Sequence, residues 1–275
     1  MSDGAAPPDR WRRLLLTLPI TAIVIYLALI GAMYAAQSWL IYPAPTAAGE
    51  AVPGFETISY PTSDGLELRA GYRPARPGRA TILYFHGNGA DWQSSVIAAE
   101  RLVADGCGLF AAEYRGYRGN PGQPGEEGLY RDGRAAMAWL RQRGVEPGQL
   151  VIAGNSIGSG VATQMARETR PHALILVSPF ASLPRIASER MPWAPVRWLL
   201  RDRFANDEKI GQVSAPILLL HGDADTLIPP HHSRMLAAAN PDAKLVVIAG
   251  AGHELAWREE AQATMLAFLD TLSGP

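Results

Sequence analysis

Cysteine is almost absent from this sequence, which has one, Cys107, among 275 residues. A single cysteine cannot form an intramolecular disulfide, and it excludes zinc sites built from several cysteines. An excess of charge of either sign is also lacking, because 25 Lys and Arg are balanced by 26 Asp and Glu. No basic stripe with interleaved aromatic residues is found, so the composition argues against a nucleic-acid partner.

Charged residues are missing altogether from Leu14 to Tyr42, a stretch made mostly of Leu, Ile, Ala, Val and aromatic residues. A helix of about 20 apolar residues is enough to span a bilayer. We therefore predict an uncleaved transmembrane anchor over 14–42. The alternatives are a signal peptide, whose apolar part is usually about 7–15 residues, and a soluble helix.

Basic residues lie on one side of this apolar segment. Arg10, Arg12 and Arg13 precede it, whereas the next basic residue after it is Arg69. By the positive-inside rule, residues 1–13 stay in the cytoplasm and the rest of the chain crosses the membrane. The sequence thus predicts a single-pass membrane protein whose main domain is extracytoplasmic, on the periplasmic side if the organism is a bacterium.

A linker rich in Pro and Ala follows at 43–54, and from residue 55 apolar strands alternate with helical patterns. Strands are predicted at 55–60, 66–72, 80–85, 108–114, 150–154, 173–178, 216–220 and 244–248. The first two form an antiparallel hairpin around a turn. Helices are predicted at 91–104, 126–143, 161–167, 231–239 and 257–272. The pattern indicates an α/β fold with a mostly parallel sheet of eight strands, covered by helices on both faces.

The segment from about 180 to 213 carries no strand pattern and is interpreted as a small helical cap over the carboxyl edge of the sheet. It combines aromatic residues such as Trp193 and Trp198 with basic residues such as Arg197 and Arg201. The apolar side chains either line an acyl-sized pocket or pack on the domain. The basic ones face either anionic lipid or solvent.

The segment Gly154-Asn155-Ser156-Ile157-Gly158 ends one apolar strand and leads into a helical pattern. Strand, sharp turn and helix with serine at the apex are typical of a nucleophile that projects from a sheet. The flanking glycines leave no Cβ to clash in the turn, and the serine is expected in a strained conformation. Ser156 is therefore the candidate nucleophile.

A serine hydroxyl needs a base to take its proton and a third group to orient that base. Candidates follow two later strands, with Asp223 and Asp225 after the strand at 216–220 and His253 among glycines after the strand at 244–248. Asp225 is preferred as the acid because its side chain can return toward the sheet edge, and Asp223 is the alternative. His253 is the predicted base.

Two backbone amides are predicted to bind an oxyanion. The loop Gly87-Asn88-Gly89 follows a strand and is expected to aim the Asn88 N–H at a substrate carbonyl oxygen, and the Ile157 N–H lies at the start of the helix after the serine. The alternative interpretation is that Gly87 and Gly89 only permit a turn.

The remaining histidines have simpler interpretations. His86 and His221 end apolar strands and are expected to bond loop carbonyls, while His172, His231 and His232 are expected at the surface near helix ends. Metal binding by the last two is disfavoured because adjacent residues on a helix do not share a face. No metal, nucleotide or organic cofactor is predicted.

Together these residues resemble the α/β-hydrolase superfamily, in particular its single-pass, membrane-anchored branch related to serine-aminopeptidase-like and depalmitoylase-like hydrolases. The resemblance covers roughly 55–272 and rests on Phe85-His86-Gly87-Asn88-Gly89, Glu113-Tyr114-Arg115-Gly116-Tyr117, Gly154-Asn155-Ser156-Ile157-Gly158, His221-Gly222 with Asp225, and Gly252-His253. It implies a hydrolase domain at 55–275 with Ser156, Asp225 and His253 as the catalytic set. Arg118 departs from the family, where glycine usually continues the tyrosine loop.

The function expected from this resemblance is hydrolysis of a carboxylic ester or thioester with a small-molecule, acyl or lipid-like substrate, through an acyl-enzyme. A serine peptidase acting on short peptides is the alternative, with Glu113, Glu126 and Glu127 as possible partners for a peptide amine. A membrane-tethered interaction domain without activity is the third hypothesis, and it is disfavoured because all three catalytic residues are present.

Overall fold

A computed structural model of the chain describes residues 9–47, 51–272 and 274, with side chains from residue 14 onward. The described residues therefore leave out positions 1–8 of the predicted cytoplasmic N-terminus and positions 48–50 of the predicted linker. The same holds for 273 and 275 at the end of the predicted hydrolase domain.

The described part of the chain contains eight strands, ten α-helices and three short 3₁₀ helices, the last of which begins at His253. The strands are β1 (Glu56–Pro61), β2 (Glu67–Arg73), β3 (Thr81–Phe85), β4 (Gly108–Ala112), β5 (Leu150–Asn155), β6 (Ala173–Val177), β7 (Ile217–Gly222) and β8 (Lys244–Ile248). The helices are α1 (Asp9–Ile41), α2 (Trp92–Ala98), α3 (Glu100–Ala104), α4 (Glu126–Gln142), α5 (Gly158–Glu168), α6 (Leu183–Arg190), α7 (Val196–Leu199), α8 (Asn206–Lys209), α9 (His231–Ala239) and α10 (Glu259–Asp270).

The strands form one sheet in the order β1-β2-β4-β3-β5-β6-β7-β8. β1 pairs antiparallel with β2, and β2 pairs antiparallel with β4, while every later pairing is parallel. The predicted eight-stranded, mostly parallel sheet with an N-terminal hairpin is confirmed. Because the parallel strands all end at one edge, the loops that follow β3, β5, β7 and β8 converge there.

Two hydrophobic cores lie on opposite faces of the sheet, because successive strand residues point to opposite sides. Leu83 and Phe85 of β3 belong to the core beneath α4 and α5, whereas Ile82 and Tyr84 belong to the core beneath α2, α3 and α10. Every residue of β3, β4, β5, β6 and β7 is buried. This burial explains why these strands are continuous apolar runs in the sequence.

The helix predicted at 91–104 is broken into α2 and α3, so that expectation was wrong. At Ala99, between them, the backbone leaves helical values with φ −108°. Gln262 of α10 bridges the break, because its side chain accepts a hydrogen bond from the Arg101 N–H at 3.0 Å and donates one to the Ile97 carbonyl at 2.9 Å. A side chain that enters a helical ladder in this way is a recognised cause of a kink.

One helix in the described part of the chain is long and apolar enough to span a membrane. Its segment Leu14–Ile41 has a mean hydropathy of 2.4 in its most apolar window, and that window is not buried by the rest of the chain. Length and composition alone fit a membrane anchor and a signal sequence equally. The helix begins at Asp9, earlier than the boundary at residue 14 predicted for the apolar segment.

Between β6 and β7 the chain forms three short helices, α6, α7 and α8, as the absence of a strand pattern predicts. The last turns of α1 contact this region. Gln37 accepts a hydrogen bond from the Arg201 N–H at 2.9 Å, and the Tyr42 hydroxyl donates to Asp202 at 2.7 Å. Both Gln37 and Tyr42 are buried by these contacts.

Candidate active site

Ser156 lies at the apex of a sharp turn between β5 and α5, with a positive φ of 53°. The turn is tight because a Cβ on Gly158 would lie 2.1 Å from the Phe85 carbonyl oxygen, and one on Gly154 would lie 2.4 Å from the Gly158 carbonyl oxygen. A non-glycine residue with positive φ is strained, and such strain persists only where the surroundings enforce it. Here the close contact between α5 and the strands is the surrounding structure that holds this conformation.

The structure brings together the three side chains predicted from sequence. The Ser156 hydroxyl lies 3.1 Å from His253 Nε2, and His253 Nδ1 lies 2.8 Å from Asp225 Oδ2. Asp225 is buried, whereas the His253 side chain is 26% exposed and so has an open side toward solvent. This series can transfer the serine proton to the imidazole while the carboxylate orients it and stabilises the resulting positive charge.

The Asp225 carboxylate is held in its charged form. Burial by itself would raise its pKa, but hydrogen bonds from His221, His253 and the Ile228 N–H outweigh burial and place the pKa well below the ordinary value for aspartate. Its Oδ1 also accepts the Leu227 and Ile228 N–H groups, both at 2.9 Å. These bonds fix the carboxylate in place, and Oδ2 faces the imidazole of His253.

Asp223, the alternative acid, lies elsewhere. It is exposed, and its Oδ1 accepts the Gly250 N–H at 2.7 Å, which ties the loop after β7 to the loop after β8. The carboxylate that contacts the imidazole is that of Asp225, two residues further along the chain. The placement follows the loop argument made from the sequence.

Asn88 and Ile157 flank the serine from two loops. Both ends of the Asn88 side chain are used, because its Nδ2 donates to the Ile41 carbonyl and its Oδ1 accepts the Tyr117 hydroxyl at 2.9 Å. These bonds fix the loop after β3, and Gly87 of that loop leaves only 3.4 Å between an added Cβ and Ser156 Cβ. Ile157 occupies the N-cap position of α5, where backbone N–H groups point out of a helix.

A buried pair beneath this loop was missed by the sequence analysis. His86 Nε2 lies 2.7 Å from Glu113 Oε1, and both side chains are 1% exposed. His86 Nδ1 donates to the Gly87 carbonyl at 2.8 Å, so the ring holds the loop that carries Asn88. The carboxylate also accepts the Trp92 and Tyr114 N–H groups. The signal available was two polar residues ending neighbouring apolar strands, but their pairing depends on strand order.

Arg118, where the family usually has glycine, keeps the conformation that glycine adopts. Its φ is 48°, in the left-handed region. The guanidinium forms an ion pair with Asp91, the N-cap residue of α2, and the backbone N–H donates to the Pro45 carbonyl at 2.7 Å. The arginine side chain therefore adds a tie between the tyrosine loop and the start of α2, whereas the backbone bond would also be open to glycine.

Glu189, His231 and His232 form a cluster whose potential ligand atoms all lie within 4.8 Å of one another. The centroids of the two imidazole rings are 4.5 Å apart in a stacked arrangement. The Nε2 atoms of His231 and His232 lie 3.1 and 3.2 Å from the two carboxylate oxygens of Glu189. The argument that adjacent histidines cannot share a face was therefore wrong, as was the surface position expected for His232, which is fully buried. Hydrogen bonds between the carboxylate and both imidazoles hold these three side chains together.

Comparisons with known proteins agree with this architecture. Residues 76–206 match the family model described as serine aminopeptidase, S33, and residues 184–260 match the α/β-hydrolase fold model. An uncharacterized protein of Mycobacterium tuberculosis is 37% identical over 247 residues, which cover 86% of this chain and 88% of the relative. The chain therefore belongs to the α/β-hydrolase superfamily.

Two solved structures illustrate the likeness in fold. An esterase of Pyrococcus furiosus superposes with a TM-score of 0.68 at 19% identity, covering 84% of this chain and 98% of its own. A bacterial membrane phospholipase A superposes with a TM-score of 0.62 at 18% identity, covering 96% of this chain and 99% of its own. At these identities the comparison establishes the fold alone.

The tight packing around the turn predicts a large effect of one methyl group. Gly158→Ala should lower the free energy of unfolding by about 3 kcal/mol, because the new Cβ overlaps the Phe85 carbonyl and the backbone must move. Gly148→Ala is the matched control, since nothing lies within 4 Å of its added Cβ, and it should change stability by less than about 0.5 kcal/mol. Thermal unfolding of the purified full-length variants measures both. Equal stability of the two would contradict the packing argument.

Proposed function

We propose that the chain is a serine hydrolase that cleaves a carboxylic ester or thioester with an acyl or lipid-like substrate. The observation that carries the proposal is the hydrogen-bonded series from Ser156 through His253 to Asp225, at the edge of the sheet where α/β folds bind ligands. Its members come from three separate loops, and a shared arrangement of this kind is what nucleophilic catalysis by serine requires.

In the proposed reaction His253 Nε2 takes the Ser156 proton as the hydroxyl oxygen attacks the substrate carbonyl. Asp225 stabilises the imidazolium, and the N–H groups of Asn88 and Ile157 bind the oxyanion. His253 then gives the proton to the departing alcohol or thiol, which leaves an acyl-serine. A water molecule, deprotonated by the same imidazole, attacks the acyl group, and its proton returns to the serine as the acid is released.

Three acidic residues considered for a peptide amine are used elsewhere. Glu113 is buried against His86. Glu126 accepts the Tyr130 hydroxyl at 2.6 Å and the Arg203 N–H at 2.6 Å, and Glu127 pairs with arginines on α4. These contacts favour an ester or thioester over the peptidase alternative, and the complete series of three side chains disfavours a domain without activity.

We also propose that 14–42 is a retained membrane anchor, followed by a linker at 43–54 and the hydrolase domain at 55–275, with the cap at about 180–213. The end of α1 is part of the folded domain, because Gln37, Ile41 and Tyr42 all hydrogen-bond to it. Removal of a signal sequence would break those contacts. The arginines before the segment support a cytoplasmic N-terminus and an extracytoplasmic domain.

One prediction of the proposed function concerns the nucleophile. A fluorophosphonate probe should label the purified full-length protein, and Ser156→Ala should abolish both labelling and hydrolysis of a p-nitrophenyl acyl ester. Ser63→Ala, which changes an exposed serine in the turn between β1 and β2 that has no contact with His253 in the hydrogen-bonded series, is the control and should label as the wild type does. Undiminished labelling of Ser156→Ala would refute the assignment.

The second prediction separates the two acids. Asp225→Asn should reduce kcat by about 10³–10⁴-fold, because the amide can no longer stabilise the imidazolium or select its tautomer. Asp223→Asn removes one carboxylate charge from the same loop, but this carboxylate does not contact His253. The kcat of this variant should stay within a few-fold of the wild-type value. Steady-state kinetics with one ester decides it. A larger loss for Asp223→Asn would reverse the assignment.

The third prediction tests orientation. On intact cells, one membrane-permeant and one impermeant fluorophosphonate probe should both label the wild type if the domain lies outside the cytoplasmic membrane. Where an outer membrane is present, it is permeabilised first. Labelling by the permeant probe alone would place the domain in the cytoplasm and overturn the proposed topology.

A further inference from the structure

An apolar cavity of about 280 Å³ lies between the last turns of α1 and the cap. From α1 its walls include Ile30, Met33 and Leu40, and from the cap they include Leu183, Ile186 and Leu199. Ile30, Met33 and Ile186 are half-buried, so the cavity is formed by surfaces that do not close on each other. An apolar concavity of this kind is where an apolar ligand binds.

Two polar side chains in the walls, Gln37 and Arg190, are already engaged. The Gln37 amide donates to the Tyr34 carbonyl at 2.8 Å and accepts the Arg201 N–H at 2.9 Å. The Arg190 guanidinium donates to the carbonyls of Thr226 and Leu227. With these groups satisfied, the cavity offers its occupant apolar contact rather than hydrogen bonds.

The walls of the cavity hydrogen-bond to two loops of the candidate active site, those after β3 and β7. Ile41 forms part of one wall, and its carbonyl accepts the side chain of Asn88, the proposed oxyanion residue. On the other side Arg190 holds the backbone immediately after Asp225. Two wall residues of the cavity thus hold loops of the candidate active site, which connects a chain lying in the cavity to that site.

The cavity begins near the outer face of the bilayer, since its α1 wall runs from Ile30 to Ile41. If the bilayer takes about 20 residues of α1 from Leu14 onward, it reaches roughly residue 33. The cap already contacts the helix within that span, because the Tyr26 hydroxyl donates to the Trp193 carbonyl at 3.1 Å. Trp193 and Trp198 are 50% and 77% exposed, as expected of aromatic residues at a lipid interface.

We propose that this cavity holds one acyl chain of a lipid ester drawn from the bilayer, with the anchor helix α1 as one of its walls. The inference rests on the proposed ester hydrolase function and deepens it. If this inference holds, α1 determines which acyl-chain length the enzyme prefers in addition to tethering the domain. A volume just below the range of about 300–1,000 Å³ usual for ligand pockets suits a single chain.

The test uses the full-length protein in lipid nanodiscs and two esters, p-nitrophenyl butyrate in water and p-nitrophenyl laurate in the bilayer. Met33→Trp on α1 and Ala187→Trp on the cap should each fill the cavity. The kcat/KM for laurate should fall at least about tenfold relative to butyrate, since each methylene denied apolar burial costs about fourfold. Val24→Trp is the control, because Val24 is exposed on α1 and outside the cavity.

Activity on butyrate reports the integrity of the catalytic residues in every variant. An unchanged ratio of kcat/KM for laurate to kcat/KM for butyrate in both tryptophan variants would overturn the inference and leave the proposed function standing. If the wild type hydrolysed neither ester, the proposed function itself would be overturned. Met33→Ala supplies a test that does not depend on overpacking. It enlarges the cavity and should move the preferred acyl chain one or two carbons longer, and an unchanged preference would also overturn the inference.

Discussion

The close contact between α5 and the strands beside it constrains the rest of the structure. The Gly158 Cα faces the Phe85 carbonyl, and a single methyl group in that gap would lie 2.1 Å from the oxygen. At this close approach the chain turns from β5 into α5 with Ser156 in the left-handed region. The serine is thereby lifted out of the sheet toward the loops that end the neighbouring strands. Its conformation is a consequence of packing in the centre of the fold.

The loops around the serine are fixed by polar groups that a substrate never needs to contact. His86 and Glu113 are buried together beneath the loop after β3, and the Asn88 side chain is bonded at both ends. Backbone N–H groups hold the Asp225 carboxylate from the opposite side. Such preorganisation matters for catalysis because no energy has to be spent on orienting dipoles as charge develops. The pair with His86 also occupies Glu113, one of the acids that a peptide-binding site would use.

The proposed anchor helix α1 is connected to this arrangement more closely than a tether requires. Its last residues hydrogen-bond to the cap and to the loop that carries Asn88. An enzyme that cleaves esters of membrane lipids must bring an acyl chain from the bilayer to a polar site. A wall formed by the anchor itself shortens that path, and it makes the anchor and the cap one unit on which chain-length preference would depend.

Local pattern in the sequence was sufficient for the order of the elements, the eight strands, the hairpin and the turn at Ser156, because periodicity and glycine placement act within a few residues. It also indicated His253 and Asp225, since parallel strands must end at one edge. Tertiary packing decided the rest. The break at Ala99 depends on Gln262, more than 160 residues away. The pairing of His86 with Glu113 and the cavity along α1 likewise depend on side chains that only the folded chain brings together, and no local pattern encodes such distant contacts.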